Sequence, residues 1–316
     1  MTEASTPDPL VQMTAQLRAA MPGIPEQDLP RFVAAITNPG AYAPCDESAP
    51  RPGVPTGVVS THRFKSMHVY PGVAREVRLY VPNARLHDGP LALTVFQDGA
   101  MYLGPQVAAT VVFDNLIAAG DMPPCAALFV EPGETGPGLP TYGGMGNRSV
   151  EYDSLGDAYA RFLIEELIPA LTSEVELCDV PAARAICGLS SGGICAFNAA
   201  WERPDFFGKV ISHCGSFVDI RGGHLLPALV RREAAKPLRV FLQTGEHDLD
   251  ILFGCWPLAN RGLASALDYR GYDHRFVVGE GGHSLAHGGA LFAETLRWLW
   301  RDWRDTRAAV RTGELR

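Results

Sequence analysis

Five residues, Gly188-Leu189-Ser190-Ser191-Gly192, restrict this chain more than any other stretch. They follow the apolar run Ala183-Arg184-Ala185-Ile186-Cys187 and precede the helix-like run Gly193-Ile194-Cys195-Ala196-Phe197-Asn198-Ala199-Ala200-Trp201. Strand, tight glycine turn and helix in that order raise a serine hydroxyl above a sheet. The flanking glycines let the backbone take a strained turn and leave room for a substrate. A glycine-rich helix start with a capping serine would use the same residues without chemistry, so the rest of the chain must decide.

Downstream come a carboxylate and then a histidine, the chain order expected of a nucleophile elbow in such a sheet. Residues 238–243 read as a buried strand running into Thr244-Gly245-Glu246-His247-Asp248-Leu249-Asp250. A carboxylate in that loop can accept a hydrogen bond from imidazole and hold the tautomer that deprotonates serine. Glu246, Asp248 and Asp250 all compete for the role. Residues 274–278 read as the last core strand and Gly279-Glu280-Gly281-Gly282-His283-Ser284 as the loop beyond it, with His283 as general base. Gly281 and Gly282 are expected to permit a sharp backbone path there.

Around these loops, apolar runs near 91–97, 125–130, 183–187, 208–213, 238–243 and 274–278 alternate with helical patterns near 105–118, 155–172, 191–202, 256–269 and 285–302. That alternation predicts an α/β fold, a mainly parallel sheet with helices on both faces. An antiparallel hairpin precedes it, residues 62–69 and 75–81 about Pro71-Gly72. Upstream, a helix is expected from Pro9 with Asp8 as its N-cap, and another over 29–36 ended by Asn38-Pro39-Gly40. Residues 44–55 read as a linker or an arm laid over the surface. The division is an N-terminal extension and linker over 1–57, a catalytic domain over 58–305 and a polar tail over 306–316. Two long irregular stretches, 131–152 with Gly138, Pro140, Gly143, Gly144 and Gly146, and 217–235 with a short helix over 225–230, follow strands at the end where open α/β sheets bind ligands.

Composition excludes several classes. Net charge of −8 and the lack of a basic stripe argue against nucleic acid. No run approaches a membrane span. The first 20 residues carry Glu3 and Asp8 without a basic n-region or continuous apolar h-region, so no secretory signal is expected. The seven cysteines are odd in number and form no C-x-x-C pair, which reads as reduced thiols in a cytoplasmic protein. His283 and His287 stand four apart, but neither an HExxH glutamate nor an obvious third ligand accompanies them, so neither metal nor cofactor is expected. A homodimer is left open.

Taken together, Val95-Phe96-Gln97-Asp98-Gly99, Asn147-Arg148-Ser149-Val150-Glu151-Tyr152, the Ser190 pentapeptide, Thr244-Gly245-Glu246-His247-Asp248 and Gly281-Gly282-His283 resemble the enterochelin-esterase-like, esterase-D-type α/β hydrolases over roughly residues 58 to 302. The resemblance implies the α/β-hydrolase fold and acyl-ester chemistry without naming an acyl group. It favours Asp248 as the acid, by its offset from Gly245, with Asp250 second. It also implies Ala100 N–H as an oxyanion donor beside that of Ser191, the residue after the nucleophile. In siderophore esterases a separate β domain precedes this core, and residues 1–57 are too few for one.

For substrate contacts, Arg148 can clamp a carboxylate or phenolate, or else pair with Glu151 and only fix its loop. Phe253 and Trp256 can stack on an aromatic group, while His287 packs near a helix start or lines the pocket. His213 and His247 are expected to be structural histidines or pocket walls rather than catalytic groups. The expected function is hydrolysis of a small or aromatic carboxylic ester, siderophore-like or feruloyl/acetyl-like, through a Ser190 acyl-enzyme. An acyltransferase or a silent ligand-binding relative are the alternatives.

Overall fold

The computed structural model describes residues 9–20, 23–86, 89–134 and 147–312. Asp8 and the glycines and proline expected between 138 and 146 lie outside the described residues. Strands β1 (Val58–Lys65), β2 (Ala74–Val81), β3 (Ala92–Gln97), β4 (Cys125–Val130), β5 (Arg184–Leu189), β6 (Lys209–His213), β7 (Arg239–Gly245), the short pair β8 (Asp250–Ile251) and β9 (Gly254–Cys255), and β10 (Asp273–Gly279) follow in chain order. Eight of them form one sheet in the order β1-β2-β4-β3-β5-β6-β7-β10. Within this sheet every pairing from β4 through β3, β5, β6 and β7 to β10 is parallel, and β1–β2 and β2–β4 are antiparallel; the separate β8–β9 pair is antiparallel as well. The chain therefore has the mainly parallel α/β architecture, with the N-terminal hairpin as its antiparallel edge.

The hairpin differs from expectation in its first strand. Tyr70-Pro71-Gly72-Val73 is a turn closed by Val73 N–H donating to Tyr70 O at 3.0 Å, with Gly72 at φ 85°, the arrangement that proline followed by glycine favours. Met67, His68 and Val69 do not extend β1, because their amides donate to the Glu166 carboxylate at 2.7, 3.3 and 2.6 Å. β1 instead begins earlier, at Val58.

Helices α1 (Pro9–Ala20), α2 (Leu29–Ile36), α3 (Gly99–Leu103), α4 (Ala109–Ala119), α5 (Arg148–Asp153), α6 (Ala158–Arg161), α7 (Ile168–Leu171), α8 (Ser191–Glu202), α9 (Leu226–Arg232), α10 (Trp256–Tyr269), α11 (Ala286–Ala290), α12 (Phe292–Leu299) and α13 (Trp303–Thr312) complete the chain. The helix expected near 105–118 is α4, which starts only after Ala108 at φ 48°, and the short helix α3, which ends before Gly104-Pro105, was not expected. A π-helical turn, Phe162–Leu167, joins α6 to α7 ahead of Pro169, which has no N–H to give the preceding turn. The pattern near 285–302 divides into α11 and α12 at Leu291, and residues 306–312, expected as tail, are helical. The 44–55 arm is fastened down, since the Asn115 side-chain amide donates to Glu47 O and Ala49 O at 2.8 and 2.9 Å.

α8 is the central helix. All of its residues from Ser191 to Trp201 are buried, and small residues let it lie close: a Cβ on Gly193 would meet Ser212 Oγ at 2.7 Å. Two apolar layers cover the sheet, one around Phe162, Phe197 and Trp201, the other around Phe96, Phe113, Phe129 and Trp300. Set into the first layer is a fully buried ion pair. Arg75 of β2 donates to Glu151 of α5 through both terminal nitrogens, at 2.6 and 2.8 Å, with both side chains at 0% exposure. Gly133 N–H and the Asn147 amide bond the same carboxylate, so the pair ties α5 to the sheet.

Because desolvating one charge without its partner is costly, Glu151→Gln should lose about 3–5 kcal/mol of stability. An Arg75→Met/Glu151→Leu double variant should recover most of that loss, and urea unfolding of the three proteins checks it.

Candidate active site

The ends of β3, β5, β6, β7 and β10 meet along one edge of the sheet, and the expected residues stand on the loops that leave it. Ser190 occupies φ 60°, ψ −123°, a backbone region that L-residues avoid. The reason is the turn from β5 into α8, which brings Gly188 against Gly192: a Cβ on Gly188 would fall 2.1 Å from Gly192 O. Ser190 N–H donates to His213 O, and Ser190 O accepts from Gly193, Ile194 and Ser216 amides. Ser191, first residue of α8, has an N–H without an intrahelical acceptor.

Of the three competing carboxylates, Asp248 is the one at the histidine. His283 Nδ1 and Asp248 Oδ1 are 2.5 Å apart, with side chains 9% and 0% exposed. Burial works against the Asp248 charge, but His283, the Leu249 amide and the Cys214 thiol outweigh it and hold the pKa below the usual range. Asp250 lies instead in β8, exposed and facing Arg31, and Glu246 is exposed. The expected reason for Gly281 and Gly282 needs correction: neither has a positive φ. They are required by close approach, because a Cβ on Gly282 would fall 2.1 Å from Ala35 O and one on Gly281 3.0 Å from Pro39 O.

Among the described residues, no hydrogen bond joins Ser190 Oγ to the imidazole. The hydroxyl is 3.3 Å from Ser216 Oγ, which accepts from Trp256 Nε1 at 3.1 Å. The indole meets His283 edge-on, ring centroids 6.1 Å apart. Ser216 was not foreseen from the sequence, which carries no local signal for it. A cavity of about 160 Å³ opens over Ser190, walled by Phe32, Arg148, Ser216, Leu249 and Trp256.

Arg148 does not pair with Glu151, whose carboxylate Arg75 holds. It forms a two-pronged bond to Asp98 at 2.9 and 2.7 Å. Behind it stands Asp153, 1% exposed, with neither oxygen in a well-formed hydrogen bond although the Ser149 and Ser191 hydroxyls are close. Burial, opposed in part by Arg148, pushes its pKa up to about 6. Motif reading named Asp98 but not its pairing with Arg148, and it missed Asp153.

Three expected contacts lie elsewhere. Ala100 N–H donates to Glu131 Oε1 at 2.6 Å; Glu131 follows β4, on the opposite side of β3 from β5, so this amide is engaged away from the serine. His287 is buried 4.2 Å from the Tyr42 ring, stacked on it, with Nδ1 beside the Gln243 amide, and is absent from the cavity wall. Phe253 sits between β8 and β9 against the Trp256 cluster, outside that wall. His213 is fully buried against Tyr102, and burial first, then His287, lowers its pKa to about 3, so it stays neutral. His247 is exposed. Cys214 Sγ, Asp248 and His283 lie within 4.8 Å of one another, but the carboxylate and imidazole are bonded to each other and burial keeps the thiol protonated.

A model of the family described as "Putative esterase" matches residues 70–299. The chain belongs to this esterase family. Its esterase relatives include the iron(III) enterobactin esterase of Dickeya dadantii (strain 3937), 28% identical over 243 residues, which cover 71% of this chain and 51% of that one. An uncharacterized protein of Bacillus subtilis (strain 168), YjcH, is 27% identical over 147 residues, 44% of this chain and 59% of that one. The chain thus spans about half the length of the curated relatives it matches. Among solved structures, the enterobactin esterase of Shigella flexneri in the presence of enterobactin superposes with a TM-score of 0.65 at 19% identity, covering 84% of this chain and 63% of that one. A ferulic acid esterase of Anaeromyces mucronatus superposes with 0.62 at 14%, covering 82% and 96%. These likenesses establish the α/β-hydrolase fold.

Asp153 supplies a pH test. Its folded pKa of about 6 lies above the ~3.9 of an unfolded aspartate, so the folded state binds the proton more tightly, and stability is lost as pH rises through that window. Asp153→Asn should therefore become more favourable relative to wild type, by on the order of 2–3 kcal/mol, between pH 4 and pH 7. Urea midpoints at the two pH values measure it.

Proposed function

We propose that the chain is a serine carboxylic-ester hydrolase acting on a small or aromatic ester through a Ser190 acyl-enzyme. The observation that supports this best is the Asp248–His283 bond, on loops converging with the strained Ser190 turn. With Nδ1 bound to an ionised Asp248, the imidazole keeps its other nitrogen, Nε2, free to accept the Ser190 proton. Ser190 Oγ turns from Ser216 and attacks the acyl carbon while the Ser191 N–H receives the developing oxyanion charge. The imidazolium then protonates the leaving alcohol. Water then attacks the acyl carbon while His283 takes its proton; the bond from Ser190 Oγ to that carbon breaks, the imidazolium returns the proton to Ser190 Oγ, and the acid leaves. Should Ala100 serve as second oxyanion donor, Glu131 must first release its amide.

The substrate class rests on the cavity and the relatives. Phe32, Leu249 and Trp256 offer a short aromatic and aliphatic enclosure, and about 160 Å³ suits a small acyl or aryl group better than a long chain. Arg148 on the same wall suits an acidic hydroxyl or carboxylate on that group. The relatives named for enterobactin and for ferulic acid agree with such a choice. Seven free thiols suit a reducing compartment, which supports a cytoplasmic location. Among the described residues, no helix is long and apolar enough to cross a membrane.

Ser190→Ala should lower kcat by several orders of magnitude with the thermal transition nearly unchanged. Asp248→Asn should cost at least ~100-fold, Asp250→Asn less than about threefold. Steady-state kinetics on p-nitrophenyl acetate and benzoate check this, and a Ser190→Ala variant retaining a tenth of wild-type turnover would overturn the nucleophile assignment.

A further inference from the structure

The N-terminal extension reaches into this site. Phe32, on α2, walls the cavity over Ser190 together with Trp256 and Leu249, and packs against the cluster those two belong to. The same segment grips both loops that carry the Asp248–His283 pair. On the acid side, the buried Asp28 carboxylate accepts Leu252 N–H at 2.8 Å, and Arg31 donates to Asp250 O at 3.2 Å. On the histidine side, Ala35 O accepts His283 N–H at 2.8 Å and Asn38 O accepts Gly282 N–H at 2.7 Å. Tyr42 completes the contact, its hydroxyl accepting Glu280 N–H at 2.9 Å while its ring lies on His287.

These contacts are built in. A Cβ at Gly282 would collide with Ala35 O, and one at Gly279 would stand 2.3 Å from Tyr42 Oη, so the loop glycines are shaped to receive this segment. Without it, the amides of Glu280, Gly282 and His283 would lose their partners, and the imidazole would rest on an unbraced loop.

We propose that residues 28–42 are a working part of the active site: Phe32 selects the bulky group of the substrate, and the Ala35 and Asn38 carbonyls hold the His283 loop in position. The selection by Phe32 rests on the ester-hydrolase reading; the bracing of the loop does not. Phe32 is the residue of the N-terminal extension in a wall otherwise built by residues 148–256, so the size of its ring sets how large an acyl or alcohol group fits beside Trp256. The carbonyls of α2 act through the backbone, and only the packing of the helix keeps them in place.

Two measurements on the full-length chain test the two halves separately. For selection, kcat/KM is measured on p-nitrophenyl acetate, butyrate and benzoate with Phe32→Ala and Phe32→Trp. The benzoate-to-acetate ratio should move by about tenfold or more, in opposite directions for the two variants, with thermal transitions close to wild type. Ratios within twofold of wild type in both variants would overturn it, whereas absence of wild-type turnover and of Ser190 labelling by a fluorophosphonate would refute the ester reading, and with it the selection by Phe32. For bracing, Leu29→Ala loosens α2 from beneath while leaving every carbonyl present, Leu29 being 1% exposed. Amide hydrogen exchange at Gly282 and His283 should accelerate about tenfold or more, with β5 amides unchanged, and kcat should fall more than KM rises. Unchanged protection of those two amides would overturn the bracing role even in a protein with no esterase activity.

Discussion

Ser190 sits in a backbone conformation that costs on the order of 1–3 kcal/mol, and the rest of the site is arranged so that the chain cannot relax out of it. Gly188 and Gly192 press together where no side chain fits, the Ser190 amide is bound to the end of β6, and its carbonyl takes three amides from α8 and the 213–217 turn. The strain is shared along the same edge. Four non-glycine residues have positive φ among the described ones, and three of them, Asp98, Ser190 and Cys214, directly follow β3, β5 and β6. Three adjacent strands thus leave the sheet through a residue of positive φ.

Charge does the remaining placement. A buried ion pair such as Arg75–Glu151 adds little net stability over an apolar equivalent, because desolvation offsets most of the attraction; its effect is to hold α5 in one orientation against β2. α5 in turn presents Arg148 to Asp98 and places Asp153 behind the Ser191 end of α8. Asp98 is tied to the guanidinium by two short bonds, while Asp153, which burial leaves only partly compensated by Arg148, holds its proton to about pH 6. The Asp248–His283 bond follows the same logic on the other side of the cavity, where an imidazole and a backbone amide keep a buried carboxylate ionised.

The sequence by itself determined the parallel sheet, the strained turn at Ser190 and the loops bearing Asp248 and His283, because each is written in neighbouring residues: apolar runs, turn glycines and a serine between them. Spacing alone could not choose among Glu246, Asp248 and Asp250, three carboxylates within a span of five residues whose placement depends on how the loop turns. Only the tertiary structure decided what depends on residues far apart in the chain. Ser216 reaches Ser190, Arg75 takes Glu151 from Arg148, Glu131 takes the Ala100 amide, and α2 closes over a histidine some 250 residues downstream. Gly281 and Gly282 show the limit most clearly. Their presence was legible, but their cause was not, since a glycine required by a neighbouring carbonyl looks the same in sequence as one required by its own φ, and only packing brings Ala35 and Pro39 to within contact.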